Sequence, residues 1–125
     1  MTPDRLEIAR RLAACRRWQW LPGMAFRVAG ELWRVLGTGD RCVVAACAGR
    51  PIAVVSTEAP MIPDLYDDLT RLGALEVVRA AWGTRAESTW SPGAAPFVVH
   101  VPHRGVFTSS TSEEAALLAA LEAAP

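Results

Sequence analysis

The strongest constraint on the fold lies between Pro22 and Ser56, where glycine-containing turns punctuate the chain at short intervals. Apolar, β-branched or aromatic runs at Met24–Ala29, Leu32–Leu36, Arg41–Ala48 and Pro51–Ser56 are separated only by Gly30-Glu31, Gly37-Thr-Gly-Asp40 and Gly49-Arg50. Such short connections join antiparallel neighbours, whereas a parallel pair needs a crossover of about a dozen residues or more. The stretch therefore predicts a meander of hairpins. Phe26, Val28 and Leu32 are expected to alternate inward, with Arg27 outward, and Gly37-Thr-Gly-Asp40 is expected to be a hairpin turn with glycine at positive φ.

Helical signals flank this block. Thr2-Pro3 reads as a helix start, followed by Asp4 and Glu7 near the positive end of the helix dipole. Leu6, Ile8, Ala9, Leu12 and Ala13 share one face, and Glu7, Arg10, Arg11 and Arg17 the other, with Glu7 and Arg11 spaced to pair. The first helix is expected over about 3–17. Pro60 and Pro63 bar a continuous strand or helix between Ala59 and Pro63. From Asp64 to Trp82, Leu65, Leu69, Leu72, Leu75, Val78 and Trp82 recur three to four apart and Gly83 supplies a stop. A second helix is expected there, with Leu69, Leu72 and Leu75 buried. Strand chemistry returns at Glu87–Trp90, Pro96–Val101 and Gly105–Thr108. Thr111-Ser-Glu-Glu114 then spells a capping box for a last helix over about 112–123. The order predicts an α+β domain over 1–125, in which an antiparallel sheet, a meander plus C-terminal hairpins, packs against three helices.

Composition bounds what this domain does. The 125 residues are 51% hydrophobic and 21% charged, a globular balance, and Arg is the only strongly basic residue type. Thirteen basic residues balance thirteen acidic ones, so no uniformly basic nucleic-acid module is implied. The longest uncharged apolar run, Cys42 to Gly49, is far short of the ~20 residues that span a bilayer. The start of the chain lacks the apolar stretch of a secretion signal, so we expect a cytoplasmic protein with Cys15, Cys42 and Cys47 reduced. Charge is uneven: residues 1–34 carry seven Arg against three acids, and residues 86–125 carry one Arg against four Glu. Such a dipole can steer a partner, or the two ends can attract each other in the fold.

Candidate chemistry is sparse. His100, His103, Cys42 and Cys47 are ligand types, but two cysteines five apart on a strand face opposite sides, so no metal is expected. No lysine is present for a phosphate-binding P-loop, and no Gly-x-Ser-x-Gly elbow occurs. Cys15 precedes Arg16-Arg17, a setting that can lower a thiol pKa, or it sits at the edge of the first helix's buried face. Asp67-Asp68 reads as a solvated helix start or an acid–base pair. We expect no cofactor and no enzyme activity. The segment Arg10 to Trp20 is the best surface candidate: Arg10, Arg11 and Arg17 offer guanidinium forks, and Trp18 and Trp20 offer planes. That mixture suits core packing at the helix–sheet junction, a protein hot spot, or single-stranded nucleic acid.

Three blocks carry a resemblance: Trp20-Leu-Pro-Gly-Met24 before the meander, Leu75-Glu-Val-Val-Arg-Ala-Ala-Trp-Gly83, and Thr111 through Pro125. Together they resemble a group of small proteins of tailed phages and prophages of GC-rich bacteria, including phage α/β sandwich domains. The resemblance implies a phage-type origin and carries no catalytic motif. With the small size and charge asymmetry, it leads us to expect an accessory protein that acts in the bacterial cytoplasm by binding. The expected partner is a host or phage protein with an acidic surface, bound by a monomer or small homo-oligomer. Inhibition of a host enzyme or antiviral complex, the anti-CRISPR type of action, is one form. A minor virion or assembly component, or a nucleic-acid-binding module using the Arg10–Trp20 segment, are the alternatives.

Overall fold

Between Ala25 and Ser56 the computed structural model, which describes residues 3–125, contains four strands joined by short turns: β1 (Ala25–Val28), β2 (Glu31–Gly39), β3 (Cys42–Ala46) and β4 (Ala53–Ser56). With β5 (Ile62–Pro63) they form one antiparallel sheet in the order β4-β3-β2-β1-β5, so the expected meander is present. The two prolines do not exclude every strand pairing, because Pro63 lies in the edge strand, where a missing N–H is tolerated. Three helices, α1 (Pro3–Ala14), α2 (Asp68–Trp82) and α3 (Glu113–Glu122), and a second antiparallel sheet, β6 (Glu87–Trp90), β7 (Phe97–Val101) and β8 (Gly105–Ser109), complete the α+β fold. The C-terminal strands pair only with one another, so the strand content divides into two sheets.

Register sorts the side chains of the larger sheet onto two faces. Phe26 opposite Trp33, and Val35 opposite Ala45, turn toward the core; Arg27 opposite Leu32, and Val44 opposite Val54, turn away. Leu32 is therefore exposed, contrary to its expected inward position, because the Gly30 turn (φ 81°) places it across from Arg27. The β2–β3 turn also differs from expectation. A bulge between Val35 and Gly37 lets β2 continue through Gly39, and the turn falls at Asp40-Arg41 with Arg41 at φ 55°. A Cβ at Gly39 would lie 3.1 Å from the Cys42 sulfur, so a side chain there would require that thiol to shift.

Helix α1 ends at Ala14, three residues before the expected end, where Cys15 N–H bonds the Leu12 carbonyl and the chain turns. Thr2, expected as its cap, lies outside the described residues. Ala9 and Leu12 are buried and Glu7, Arg10 and Arg11 exposed, as the face pattern required.

Helix α2 begins at Asp68, not Asp64. Asp67 caps it by accepting from Thr70 N–H (2.9 Å), and Gly83 closes it at φ 66°. Its orientation overturns the expected face: Leu69 and Leu72 are 54% and 61% exposed and Leu75 is half-buried, while Thr70, Ala74, Val77 and Val78 are buried. Fixed contacts set this rotation. The Thr70 hydroxyl accepts from Ala25 N–H (2.8 Å), Met24 packs directly over Gly73, and Trp82 Nε1 donates to the Ala120 carbonyl (2.8 Å).

Helix α3 is the centre of the core. Ala116, Leu117, Leu118, Ala120 and Leu121 are all buried, and the helix packs on β7, β8, α1 and α2. Its cap is Ser112, which accepts from Ala115 N–H (3.1 Å), instead of Thr111. Glu114, expected to complete a capping box, is buried with a carboxylate oxygen 3.8 Å from both Arg5 and Arg71.

Candidate protein-binding surface

The structure bends the Arg10–Trp20 segment around the end of α1 and lays it against the C-terminal end of α3. Arg11 ion-pairs with Glu122, and Arg17 Nε donates to the Pro125 carbonyl (2.7 Å). Arg11 thus bonds across the fold and not to Glu7, the pairing that helical spacing suggested. Arg10 and Arg16 are exposed and have no hydrogen-bond or ion-pair partner among the described residues. The four guanidinium groups belong to one end of the molecule; two are held by the C-terminal residues and two are available to solvent.

A cleft of about 420 Å³ lies between α1 and α3 there, lined by Arg11, Cys15, Arg16, Arg17, Leu121 and Glu122. Cys15 is not an activated thiol. Its sulfur donates to the Arg11 carbonyl (3.2 Å), and burial, with the Glu122 carboxylate, pushes the thiol pKa up, against the smaller pull of Arg11. The lowering that the neighbouring arginines suggested from sequence is overturned by this desolvation.

Trp18 and Trp20 lie beyond the turn. Their rings meet edge to face at 5.4 Å, and Trp20 meets Phe26 at 5.5 Å, so both indoles are packed onto the core. Trp18 Nε1 is buried without a hydrogen-bond partner among the described residues. A second cleft of about 400 Å³ separates these indoles from the β2–β3 turn, with Gln19, Arg41 and Thr57 on its walls. Arg41 is exposed and likewise lacks a side-chain partner among the described residues.

The other candidates are dispersed. His100 is on β7 and His103 in the turn to β8, whereas Cys42 is on β3 and Cys47 follows it; among the described residues no group of three metal-ligating side chains assembles. Both cysteines are half-buried, and Cys47 lies 3.9 Å from Glu31. Asp67 and Asp68 do not act as a pair. Asp67 binds Arg34 through both carboxylate oxygens (2.9 and 3.2 Å) and caps α2, and this hydrogen bonding holds its carboxyl below the ordinary range; Asp68 pairs with Arg71 in solvent. Arg34 as the partner of Asp67 was missed in the sequence, where only a register placing residue 34 beside the α2 cap would have revealed it. No helix among the described residues is long and apolar enough to cross a membrane. Comparisons with protein-family models, curated proteins and solved structures find no match for the chain.

Proposed function

We propose that the chain is a small phage-type accessory protein that acts by binding another protein at its arginine-rich end. A host enzyme or an antiviral defence complex is the class of target, and an acidic patch is the surface it presents. The phage assignment rests on the three sequence blocks. The binding mode rests on one observation: Arg10 and Arg16 project unpaired beside Arg11 and Arg17, whose forks are already fixed by Glu122 and the Pro125 carbonyl. Charge-assisted bonds to carboxylates are the strong ones, and the exposed forks of Arg10 and Arg16 are open to form them. A protein partner is favoured over single-stranded nucleic acid because Trp18 packs on Trp20, and Trp20 on Phe26, so the two indoles do not stand as open stacking planes.

The test is an Arg10→Ala, Arg16→Ala double variant, which leaves the Arg11–Glu122 pair and the Arg17–Pro125 contact in place, used as tagged bait beside the parent in lysate of the host. We expect the variant to keep the parent's circular dichroism and lose at least about tenfold in capture of the partner, the equivalent of one or two interfacial hot-spot contacts. Undiminished capture by the folded variant would refute the arginine-rich end as the binding face.

A further inference from the structure

Strand β4 ends the larger sheet, and no described strand covers its outer side. Which backbone groups are free follows from the register. Thr57 N–H bonds the Arg41 carbonyl (3.0 Å), and Val55 and Ala53 sit opposite Val43 and Ala45 in the same phase, so the odd-numbered residues of this segment point their amides at β3. Ile52, Val54 and Ser56 therefore aim theirs outward. The Ser56 carbonyl is engaged by Ala59 N–H, which leaves the Ile52 and Val54 N–H and C=O groups and the Ser56 N–H as the open set.

The side chains on this edge are apolar and exposed. Ile52 is 65% and Val54 70% exposed, and residues 51–57 contain no charge to discourage pairing. Exposed edges usually carry a lysine or an inward-pointing charge for that purpose. The nearest charges are Arg50 and Glu58, one at each end, and Val54 lies midway between them. Two antiparallel copies of this segment centred on Val54 therefore bring the Arg50 end of each toward the Glu58 end of the other, both residues lying in the turns that flank β4. In the same register Val54 faces Val54 as a hydrogen-bonded pair, and each Ser56 N–H meets the other copy's Ile52 carbonyl. The Val54 and Ser56 amides, the apolar side chains and the end charges are accommodated by a single two-fold arrangement. Glu58 has no ion-pair partner among the described residues, and Arg50, which reaches Glu31 at 2.9 Å, remains half-exposed.

We propose that the β4 edge is a homodimer interface, in which two chains join their larger sheets by antiparallel pairing about Val54. The partner is a second copy of this chain because the segment is complementary to itself in charge and in hydrogen-bond phase. The proposal stands independently of the reading of the arginine-rich end.

Sedimentation equilibrium on the full chain at about 100 μM, a concentration that populates micromolar complexes, is expected to give twice the 13.5 kDa mass of one chain. Val54→Lys sets two ammonium groups opposite each other at the axis. It should weaken dimerisation by about 100-fold or more while leaving the circular dichroism unchanged, since the side chain it replaces is exposed. Glu58→Arg should weaken it severalfold. Val54→Cys should give a disulfide-linked dimer, absent from the parent, on mild oxidation, because directly opposed hydrogen-bonded residues have Cα atoms about 5.5 Å apart, within disulfide reach. A monomer at that concentration, a mass above two chains, a dimer indifferent to Val54→Lys, or no cross-link from Val54→Cys would each overturn the proposal.

Discussion

Asp67 shows how much one residue can organise. Its carboxylate closes the first turn of α2, takes a hydrogen bond from the Thr70 hydroxyl (2.8 Å) and grips Arg34, tying the second helix to the second strand. The Arg34 hydrogen bond comes first among the influences that hold its pKa below the ordinary carboxylate value of about 3.9. The unfolded chain therefore takes up a proton at Asp67 before the folded chain does. The group's contribution to stability is complete above the unfolded value and is lost as pH falls through the folded one. We expect Asp67→Asn, which keeps an oxygen for the cap but loses the charge, to be less stable by about 1 kcal/mol at pH 7, in the range of an ion pair open to solvent. The gap between parent and variant should close as urea midpoints are followed below about pH 4. A gap of the same size at pH 7 and in acid would show that the ionised form is not what the fold uses.

At the scale of elements, the turn chemistry between Pro22 and Ser56 made the meander legible: Gly23, Gly30 and Gly49 all adopt positive φ, and each marks a change of direction. The rotation of α2 was not legible, because that helix carries two stripes that both satisfy a 3.6-residue period. The leucine stripe is the more hydrophobic, but the Thr70–Ala74–Val77–Val78 stripe is smaller and lets the helix approach Met24 and α3 closely. Packing distance decided against transfer free energy, and periodicity alone cannot rank the two. The division of the strands into two sheets was hidden for a related reason: hairpin spacing shows which strands neighbour each other and says nothing about joining one hairpin to another. The rotation of α2 has a thermodynamic signature. Leu72→Ala is expected to cost no more than about 0.5 kcal/mol, as for other surface substitutions, whereas Leu117→Ala, at a fully buried position of α3, should cost about 2–5 kcal/mol. Denaturant titration of the two variants checks this, and a Leu72→Ala cost equal to that of Leu117→Ala would mean that α2 buries its leucines after all.

For the whole molecule, the sequence disclosed a dipole but not what the dipole does. The fold brings its ends together: Arg11 meets Glu122, Arg5 and Arg71 flank Glu114, and Arg17 reaches Pro125. Part of the basic charge is consequently neutralised within the protein, and what remains outward is a short-range set of forks on a molecule of zero formal net charge. A duplex presents the opposite requirement, since its affinity comes from releasing counterions at many phosphates and grows with the number of uncompensated cations. An acidic protein patch needs only a few well-placed forks. We therefore expect fluorescence anisotropy with labelled duplex or single-stranded oligonucleotides to detect no binding at about 150 mM salt, where charges more than about 8 Å apart are screened. Any association seen at low salt should vanish with a shallow slope. A log–log salt plot for duplex DNA falls by about 0.9 per phosphate neutralised. Arg10 and Arg16 alone would give a slope of about two on that scale. A slope of about four, on the order of one phosphate for each of Arg10, Arg11, Arg16 and Arg17, combined with tight binding near physiological salt, would require Arg11 and Arg17 to leave Glu122 and Pro125 for the phosphate backbone, and it would replace the protein partner with a nucleic acid.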